Sequence, residues 1–317
     1  YGGFCGTSSV GALGSGGYGS ITAPIHLGSS GGTDTGTAHY GEEGGGALII
    51  NLSGTLDING DLTSNGANRN GHQEGAGSGG SIYITTNTIT GVGTMEATGG
   101  NGGSGSGAGG GGRIAVILTG AGADFSSHTG TMQAFGGSAT NPDEDGAAGT
   151  VYLQSQAQGS TNGTLIIDNN NLDPDDSATG GGVHTTIGGT ITGVDVGSVI
   201  IRNGATLELS GTLQTFTVSG TCLNQATQIH TAGTIIFDGG SDQYITTSTG
   251  TFYNVQTTNT GSLVFTDATE FNNLSNEVAG SSMIFNAGST YTIDGTLTLD
   301  GQAEGTRITL DSSDSST

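Results

Sequence analysis

Residues 99–118, GGNGGSGSGAGGGGRIAVIL, join a Gly-rich tract directly to an apolar run. Twelve of the first fourteen of these residues are Gly or Ser, and five apolar residues follow Arg113 without interruption. Apolar runs rich in β-branched residues are typical of strands, whereas Gly gives the backbone the freedom that irregular loops need. The stretch therefore predicts a strand in the wall of a repeating structure, preceded by a long Gly-rich loop.

The same combination of Gly followed by an apolar run occurs four times. GGGALIINL, GGSIYITT, GGRIAVIL and AGTVYLQS place Leu48, Ile82, Ile114 and Val151 at separations of 34, 32 and 37 residues. A second motif lies between them, as GTLDING (54–60), GTMEATG (93–99) and GTMQAFG (130–136). Self-similarity at such periods indicates stacked repeats of a few short strands each. We interpret residues 1–160 as a β-solenoid portion with long Gly-rich loops.

Residues 161–317 carry a tighter motif, which we interpret as regular β-helix rungs. Ser or Thr is followed by an apolar residue, any residue and a second apolar residue, with the Thr or Ser at 206, 234, 262 and 282, separated by 28, 28 and 20. Strand residues two apart face the same way. We therefore predict an inward-facing core made of Leu207, Leu209, Ile235, Phe237, Leu263, Phe265, Met283, Phe285, Leu297 and Leu299.

Composition narrows the class to all-β. The 317 residues include 65 Gly, which disfavours helices, but only 3 Pro and no Gly-X-Y period, which excludes collagen. A β-sandwich or jelly roll and a disordered chain stay open as alternatives. The net charge of −23 repels phosphate backbones and anionic lipid, so we expect no nucleic-acid partner. We also expect no membrane insertion, because no apolar run reaches the length of a bilayer span.

Several segments resemble Gly-rich, adhesin-like bacterial cell-surface or secreted proteins of the β-helix kind. They are residues 77–86, GGGGRIAVIL (109–118), GAAGTVYLQS (146–155), TNGTLIIDNNNL (161–172) and the rungs after residue 232. The resemblance implies a right-handed parallel β-helix and an extracellular or cell-surface location. It carries no catalytic motif.

Acidic clusters are the candidates for metal binding. DNNNLDPDD holds Asp168, Asp173, Asp175 and Asp176, and closely spaced oxygen ligands beside Asn suit calcium. NPDEDG (141–146) is a second acidic turn, and HYGEE (39–43) places a His beside two carboxylates. Neither acidic cluster matches an EF-hand loop, so solvated surface turns are the competing interpretation for all three segments. We expect no obligatory cofactor.

Three other functions compete with a structural role. A polysaccharide-cleaving β-helix enzyme could use Arg202 or Arg307 with Asp238, Asp242 or Asp267, but a surface of charge −23 suits acidic sugars poorly. A carbohydrate-binding adhesin without catalysis remains an alternative, with a surface polysaccharide as partner. A threonine ladder of the ice-binding type is disfavoured, because the Thr-X-Thr pairs do not recur at constant spacing.

The leading hypothesis is an extracellular structural protein that polymerises head to tail with copies of itself into a fibre or layer. Strand edges at the ends of a solenoid are ready to pair with another chain. Ile236, Val264 and Ile284 are expected to form an outward apolar stripe that the N-terminal Gly-rich segment or a neighbouring subunit covers. Cys222 is expected either to be a buried thiol or to bond Cys5 of another subunit. The remaining predicted contact residues are Tyr1, Phe4 and Cys5.

Overall fold

A computed structural model describes residues 19–33, 40–69, 74–172, 174, 183–188, 191–209, 211, 213–248 and 251–314. The described chain consists of strands joined by turns, with two 3-10 helices at Pro142–Glu144 and Gln156–Gln158 and no α-helix in these ranges. The prediction of an all-β protein is confirmed. The strands are β1 (Ala47–Asp57), β2 (Asp61–Thr63), β3 (Ser81–Thr90), β4 (Thr94–Glu96), β5 (Arg113–Leu118), β6 (Met132–Gln133), β7 (Thr150–Gln154), β8 (Thr164–Asp168), β9 (Thr185–Ile187), β10 (Gly193–Val196), β11 (Ser198–Arg202), β12 (Thr206–Leu209), β13 (Thr215–Val218), β14 (Cys222–Asn224), β15 (Thr227–His230), β16 (Thr234–Phe237), β17 (Gln243–Thr246), β18 (Thr251–Thr257), β19 (Ser262–Phe265), β20 (Thr269–Asn276), β21 (Ser282–Phe285), β22 (Tyr291–Ile293), β23 (Leu297–Leu299) and β24 (Thr309–Ser312).

The chain forms two compact units. Unit 1 contains residues Tyr1–Thr186 and Arg202–Thr206, and unit 2 contains Ile187–Ile201 and Leu207–Thr317. The boundary expected after residue 160 falls between β7 and β8, and both of these strands belong to unit 1.

Unit 1 contains a large sheet to which each repeat contributes one strand. Strands β1, β3, β5 and β7 pair in parallel, and β8 then adds to β7 in antiparallel orientation. Leu48 lies opposite Ile82, Ile82 opposite Ile114, and Ile114 opposite Val151. The predicted alignment of the four apolar runs is therefore confirmed to the residue.

A second, smaller parallel sheet in unit 1 corrects the alignment of the other motif. Met95 of β4 pairs with Met132 of β6, as expected, but the strand before them is β2, in which Leu62 pairs with Met95. The segment GTLDING does not occupy this sheet, because its Thr55 continues β1 opposite Thr88. Both β2 and the end of β1 contain a Leu between polar residues, so the sequence alone did not separate them.

Glycine-rich segments complete each repeat of unit 1. They pack against one another and do not form loops. We call them the glycine bundle; its members are residues 28–32, 41–46, 64–69, 74–80, 96–102, 107–112, 134–138 and 145–149. Along residues 75–80, successive backbone N–H groups donate in rotation to three neighbouring segments, and their acceptors are, in order, the carbonyls of Gly32, Gly107, Ala67, Ser29, Gly110 and Ser64, at 2.7–3.0 Å. A rotation of three matches an extended helix with three residues per turn, not a strand with period two.

Close approach of neighbouring backbones explains why these segments require Gly. A Cβ at Gly77 would lie less than 3.0 Å from the carbonyl oxygen of Glu43, and one at Gly109 would meet that of Gly77. The glycines with positive φ lie elsewhere, for example at Gly105 in the turn between two bundle segments. The expectation of a long loop over residues 99–112 is therefore wrong: the glycines serve close packing, with conformational freedom needed only at the turn.

The core of unit 1 joins side chains of the large sheet, of the smaller sheet of β2, β4 and β6, and of the glycine bundle. Its fully buried members come from successive repeats: Ile82, Ile84, Ile89, Met95, Ala97, Ile114, Val116 and Leu118. Ala97 and its equivalent Ala134 bring the bundle into this core, because a methyl group is tolerated where the backbone faces the sheet. Residues of β1 are only partly buried against the same cluster.

Unit 2 has the shorter, more regular repeats that its sequence predicts. In one parallel sheet Cys222, Ile245, Phe265 and Phe285 lie in one row, spaced by 23, 20 and 20 residues. In a second parallel sheet Thr215, Thr234 and Asn254 lie in register. The predicted period of 28 is wrong. It joins Thr206, Thr234 and Ser262, which belong to three different sheets.

The alternation of apolar residues nevertheless predicts the inward-facing positions of unit 2 correctly in most cases. The predicted inward residues Leu207, Leu209, Ile235, Phe237, Leu263, Phe265 and Met283 are buried, with at most 3% of their surface exposed. Phe265 stacks on Phe285 with ring centroids 5.4 Å apart. Leu297 and Leu299 are wrong, with exposures of 45% and 39%. Within the described residues no further strand pairs with β23 beyond β20, so nothing covers them.

Candidate functional site

A regular array of side chains lies on the outer surface of the glycine bundle. Segments 64–69, 96–102 and 134–138 run parallel, linked by bonds such as Gly66 N–H to the Thr98 carbonyl at 2.9 Å. Since each segment turns once in three residues, positions three apart face the same way. Two rows result, the first made of Asn65, Thr98 and Phe135, and the second of Asn68, Asn101 and Ser138.

Asparagine side chains hold the array in place. The backbone N–H of Thr98 donates to Asn65 Oδ1 at 2.8 Å, and that of Asn101 donates to Asn68 Oδ1 at 2.7 Å. Ser138 N–H donates in the same way to Asn101 Oδ1 at 2.9 Å. Each asparagine thus bonds one repeat to the next, and its carboxamide is fixed in orientation.

The array lines a groove of about 450 Å³, which we call the asparagine groove. It contains amide and hydroxyl side chains, three glycines and two apolar residues, and none of its lining residues carries a formal charge; they are Asn65, Gly66, Asn68, Thr98, Gly99, Asn101, Phe135, Gly136, Ser138, Asn170 and Leu172. Its volume lies within the range of about 300–1,000 Å³ typical of small-molecule sites. Sequence reasoning missed this groove, although the threefold spacing of Asn65 from Asn68 and of Thr98 from Asn101 is visible in the sequence.

A smaller cleft of about 210 Å³ adjoins the groove and shares Phe135 with it. We call it the Arg202 cleft. Met132 and Ile166 contribute apolar surface, and Arg202 Nε lies 2.7 Å from Asp168 Oδ2. Phe135 therefore stands between a neutral, polar groove and a cleft with one ion pair.

Only one of the four aspartates of the predicted calcium site belongs to the described residues. Asp173, Asp175 and Asp176 lie outside the described residues. Asp168 is described, and both of its oxygens accept bonds from Asn203 Nδ2 at 3.1 Å in addition to the ion pair with Arg202. Within the described ranges, no group of three or more His, Cys, Asp or Glu residues could hold a metal ion. The calcium site therefore stays a prediction that depends on the other three aspartates.

The remaining acidic segments have structural partners. In HYGEE, His39 lies outside the described residues, while Glu42 and Glu74 bind Arg69 at 2.7 and 2.6 Å. The hydrogen bond that Arg69 donates to Glu42 is the main cause that raises the pKa of Arg69. In NPDEDG, burial followed by the charge of Asp143 raises the pKa of Glu144.

The three aspartates that a polysaccharide-cleaving enzyme could use have different surroundings. Asp267 accepts the backbone N–H groups of Thr247 and Ser248, and Asp242 accepts that of Ser262 at 2.9 Å. These two carboxylates cap turns between repeats. Burial raises the pKa of Asp238, with Asp195 as a smaller cause. Arg307 is exposed.

The predicted contact residues are distributed over several surfaces. Val264 pairs with Ile284 in one sheet, whereas Ile236 lies in another, so the three half-buried residues do not form a single stripe. Cys222 is a free thiol with 5% exposure, and burial raises its pKa to about 12. A bond from Cys222 to another subunit would require β14 to open. Tyr1, Phe4 and Cys5 lie outside the described residues.

Two of the strands that end a sheet leave apolar side chains exposed at an edge that pairs with no other strand among the described residues. They are β1 in unit 1 and β24 in unit 2. On the inner face of β1, Leu48 and Ile50 are half-buried, although their partners Ile82 and Ile84 are fully buried. On β24, Leu310 is 48% exposed, although its partner Met283 is fully buried. At both places one layer of core contact is missing.

Comparisons with known proteins supply no assignment. No protein-family model, curated protein or solved structure matches the chain. No helix within the described ranges is long and apolar enough to cross a membrane.

Proposed function

We propose that this protein is an extracellular structural protein, a right-handed parallel β-solenoid that assembles head to tail into a fibre or layer. In this assembly the edge of β24 in one copy pairs with the edge of β1 in the next. The handedness and the extracellular location follow the resemblance to surface β-helix proteins. The contact is heterologous, and such contacts propagate unless the rotation between subunits closes a ring.

The exposed first strand is the observation that carries the proposal. β1 has eleven residues, and Ile49 and Leu52 are 56% and 37% exposed on it. A long, apolar edge of this kind is a template for pairing with another chain. A strand added at this edge would cover Leu48 and Ile50 as β3 covers the other side of β1.

β24 offers a matching surface. It already continues a parallel sheet through pairs such as Met283 with Leu310, and its outer edge has no partner strand among the described residues. Parallel strands in a sheet lie about 4.8 Å apart, so a second copy can continue the same stacking without new geometry. The backbone bonds supply affinity and the apolar side chains fix the register.

A charge placed on the inner face of β1 tests the proposal. In Ile50→Lys, the ammonium group of a free subunit can reach water past the open edge, whereas in an assembly it would be buried at a cost of several kcal/mol. Val92→Lys is the matched control, because Val92 is 67% exposed in the turn between β3 and β4. Electron microscopy reports filaments, and circular dichroism reports folding.

We expect filaments from the wild type and from Val92→Lys, and folded, unassembled protein from Ile50→Lys. Filaments of Ile50→Lys, or a wild type that stays monomeric at high concentration, would contradict the proposal. A second function, carbohydrate binding, is favoured by a separate observation, the uncharged asparagine groove.

A further inference from the structure

We propose that the asparagine groove is a binding site for a neutral oligosaccharide. This inference concerns a site that assembly through β1 and β24 does not use. It rests on the chemistry of the lining, the fixed orientation of its amides, the ring of Phe135 and the spacing of the array.

The chemistry of the lining suits a ligand with many hydroxyl groups. Asn, Thr and Ser side chains each donate and accept hydrogen bonds, as sugar hydroxyls do. The lining contains no formal charge although the chain carries 27 acidic residues. Glu96, which is not a lining residue, already accepts hydrogen bonds from Asn65 Nδ2 at 3.1 Å and Gln133 Nε2 at 3.0 Å. A charged ligand would gain no ion pair with the lining residues, and a neutral one avoids the penalty of an unpaired charge.

The amides are arranged before any ligand binds. Asn68 and Asn101 each use Oδ1 to accept a backbone N–H of the next repeat, at 2.7 and 2.9 Å. Their Nδ2 groups form no bond with the rest of the described chain and retain two donors each. Because the carboxamides are already fixed, little side-chain entropy is lost when they bind a ligand.

Two apolar side chains complete the site. Phe135 is half-buried in the first row, and Leu172 lines the same groove. The C–H face of a sugar ring can lie against an aromatic ring while its hydroxyls bond to polar neighbours, which is the usual composition of a small-molecule site. Phe135 also borders the Arg202 cleft.

The spacing of the array fits a chain of rings more than a single small molecule. Positions three apart along a segment, such as Asn65 and Asn68, are separated by ~9 Å in an extended helix that rises ~3.1 Å per residue. Neighbouring segments lie at hydrogen-bonding distance from each other. The polar groups therefore form a grid that can engage hydroxyls on successive sugar residues.

An experiment can separate this site from assembly. The binding protein is Ile50→Lys, provided that it is unassembled; if it assembles, the wild type is used. The probes are an array of neutral hexose, pentose and N-acetylhexosamine oligosaccharides, with uronate and sialylated oligosaccharides beside them. The best neutral oligosaccharide is then measured by isothermal titration calorimetry.

Two substitutions address the groove. Phe135→Ala removes the ring, and Asn101→Asp keeps an oxygen for Ser138 N–H but replaces the Nδ2 donors. The matched controls outside the groove are Tyr244→Ala, at a 49% exposed aromatic residue, and Asn87→Asp, at an exposed amide. Thermal melting by circular dichroism verifies that each variant is folded.

We expect a neutral oligosaccharide to bind, with affinity lowered about tenfold or more by each groove variant and unchanged by the controls. Since the groove has no titratable side chain, affinity should also be constant from about pH 5 to about pH 8 and insensitive to salt. Binding of charged oligosaccharides alone, affinity retained in both groove variants, or no binding of any neutral oligosaccharide would overturn the inference.

Discussion

Substitution of one glycine in the bundle tests the packing of unit 1. A Cβ at Gly109 would lie less than 3.0 Å from the Gly77 carbonyl oxygen and 3.1 Å from the Gly100 nitrogen. Gly109 also donates to the Gly100 carbonyl and accepts from Gly137 N–H, both at 2.8 Å. In Gly109→Ala the neighbouring segments must therefore separate, and both hydrogen bonds weaken.

The magnitude follows from these contacts. Overpacking costs about 1–3 kcal/mol, and each weakened bond about 0.5–1.5 kcal/mol. Reduced freedom of the unfolded chain offsets about 0.4–1 kcal/mol. We expect Gly109→Ala to lower the free energy of unfolding of unit 1 by about 2–5 kcal/mol.

Gly46→Ala is the matched control. Gly46 belongs to the same bundle, its φ is not positive, and a Cβ there meets nothing within 4 Å. The control should change stability by less than about 1 kcal/mol, in the stabilising direction. Urea unfolding followed by circular dichroism gives the free energies, and amide hydrogen exchange of residues 97–112 localises the change. Equal stability of the two variants would refute close backbone packing in the bundle.

Other predictions concern unit 2. Phe265→Ala removes a fully buried ring and should cost about 3–5 kcal/mol in urea unfolding, whereas Leu297→Ala, at a 45% exposed residue, should cost less than about 1 kcal/mol. The thiol of Cys222 should resist alkylation at about pH 8 until the protein is unfolded, because burial raises its pKa to about 12 and leaves almost no thiolate. Peptide mass spectrometry separates its labelling from that of Cys5, and rapid labelling of Cys222 in the native protein would contradict this. Burial lowers the pKa of His230 from 6.5 to about 4, so the unfolded state takes up its proton first and stability should fall by up to about 3 kcal/mol between those pH values. That loss should be absent in His230→Gln when the two proteins are compared by urea unfolding at each pH.

The sequence was most informative where side chains decide the structure. The apolar runs beginning at Leu48, Ile82, Ile114 and Val151 lie in register as expected, because burial on one face fixes the alignment of parallel strands. The inward positions of unit 2 were predicted for the same reason. Leu297 failed because alternation identifies the inner face of a strand but not whether another strand covers it.

The glycine bundle could not be predicted from the same rules. Gly has no side chain to show a period, and its usual association with turns favoured the interpretation as a loop. The decisive property is the short distance between neighbouring backbones, as at Gly77 and Gly109. The sequence contains no information about this distance. The asparagine groove was missed as a consequence, since its two rows exist only when segments 64–69, 96–102 and 134–138 lie side by side.

The 28-residue spacing misled for a related reason. Thr206, Thr234 and Ser262 begin similar strands, but each repeat of unit 2 contains several strands of nearly the same composition. Residues that are equally spaced in the sequence therefore lie in different sheets. The register is fixed by which inner side chains stack, such as Phe265 on Phe285.

Sedimentation velocity of the intact chain at increasing salt tests end-to-end assembly most directly. Subunits of charge −23 repel each other at low ionic strength, and about 1 M salt reduces the Debye length to about 3 Å. Strand pairing and apolar stacking between β24 and β1 are not weakened by this screening. We predict species that grow in size as salt is raised. A single monomeric boundary at every salt concentration, or assemblies that dissociate into monomers at high salt, would contradict assembly through these edges.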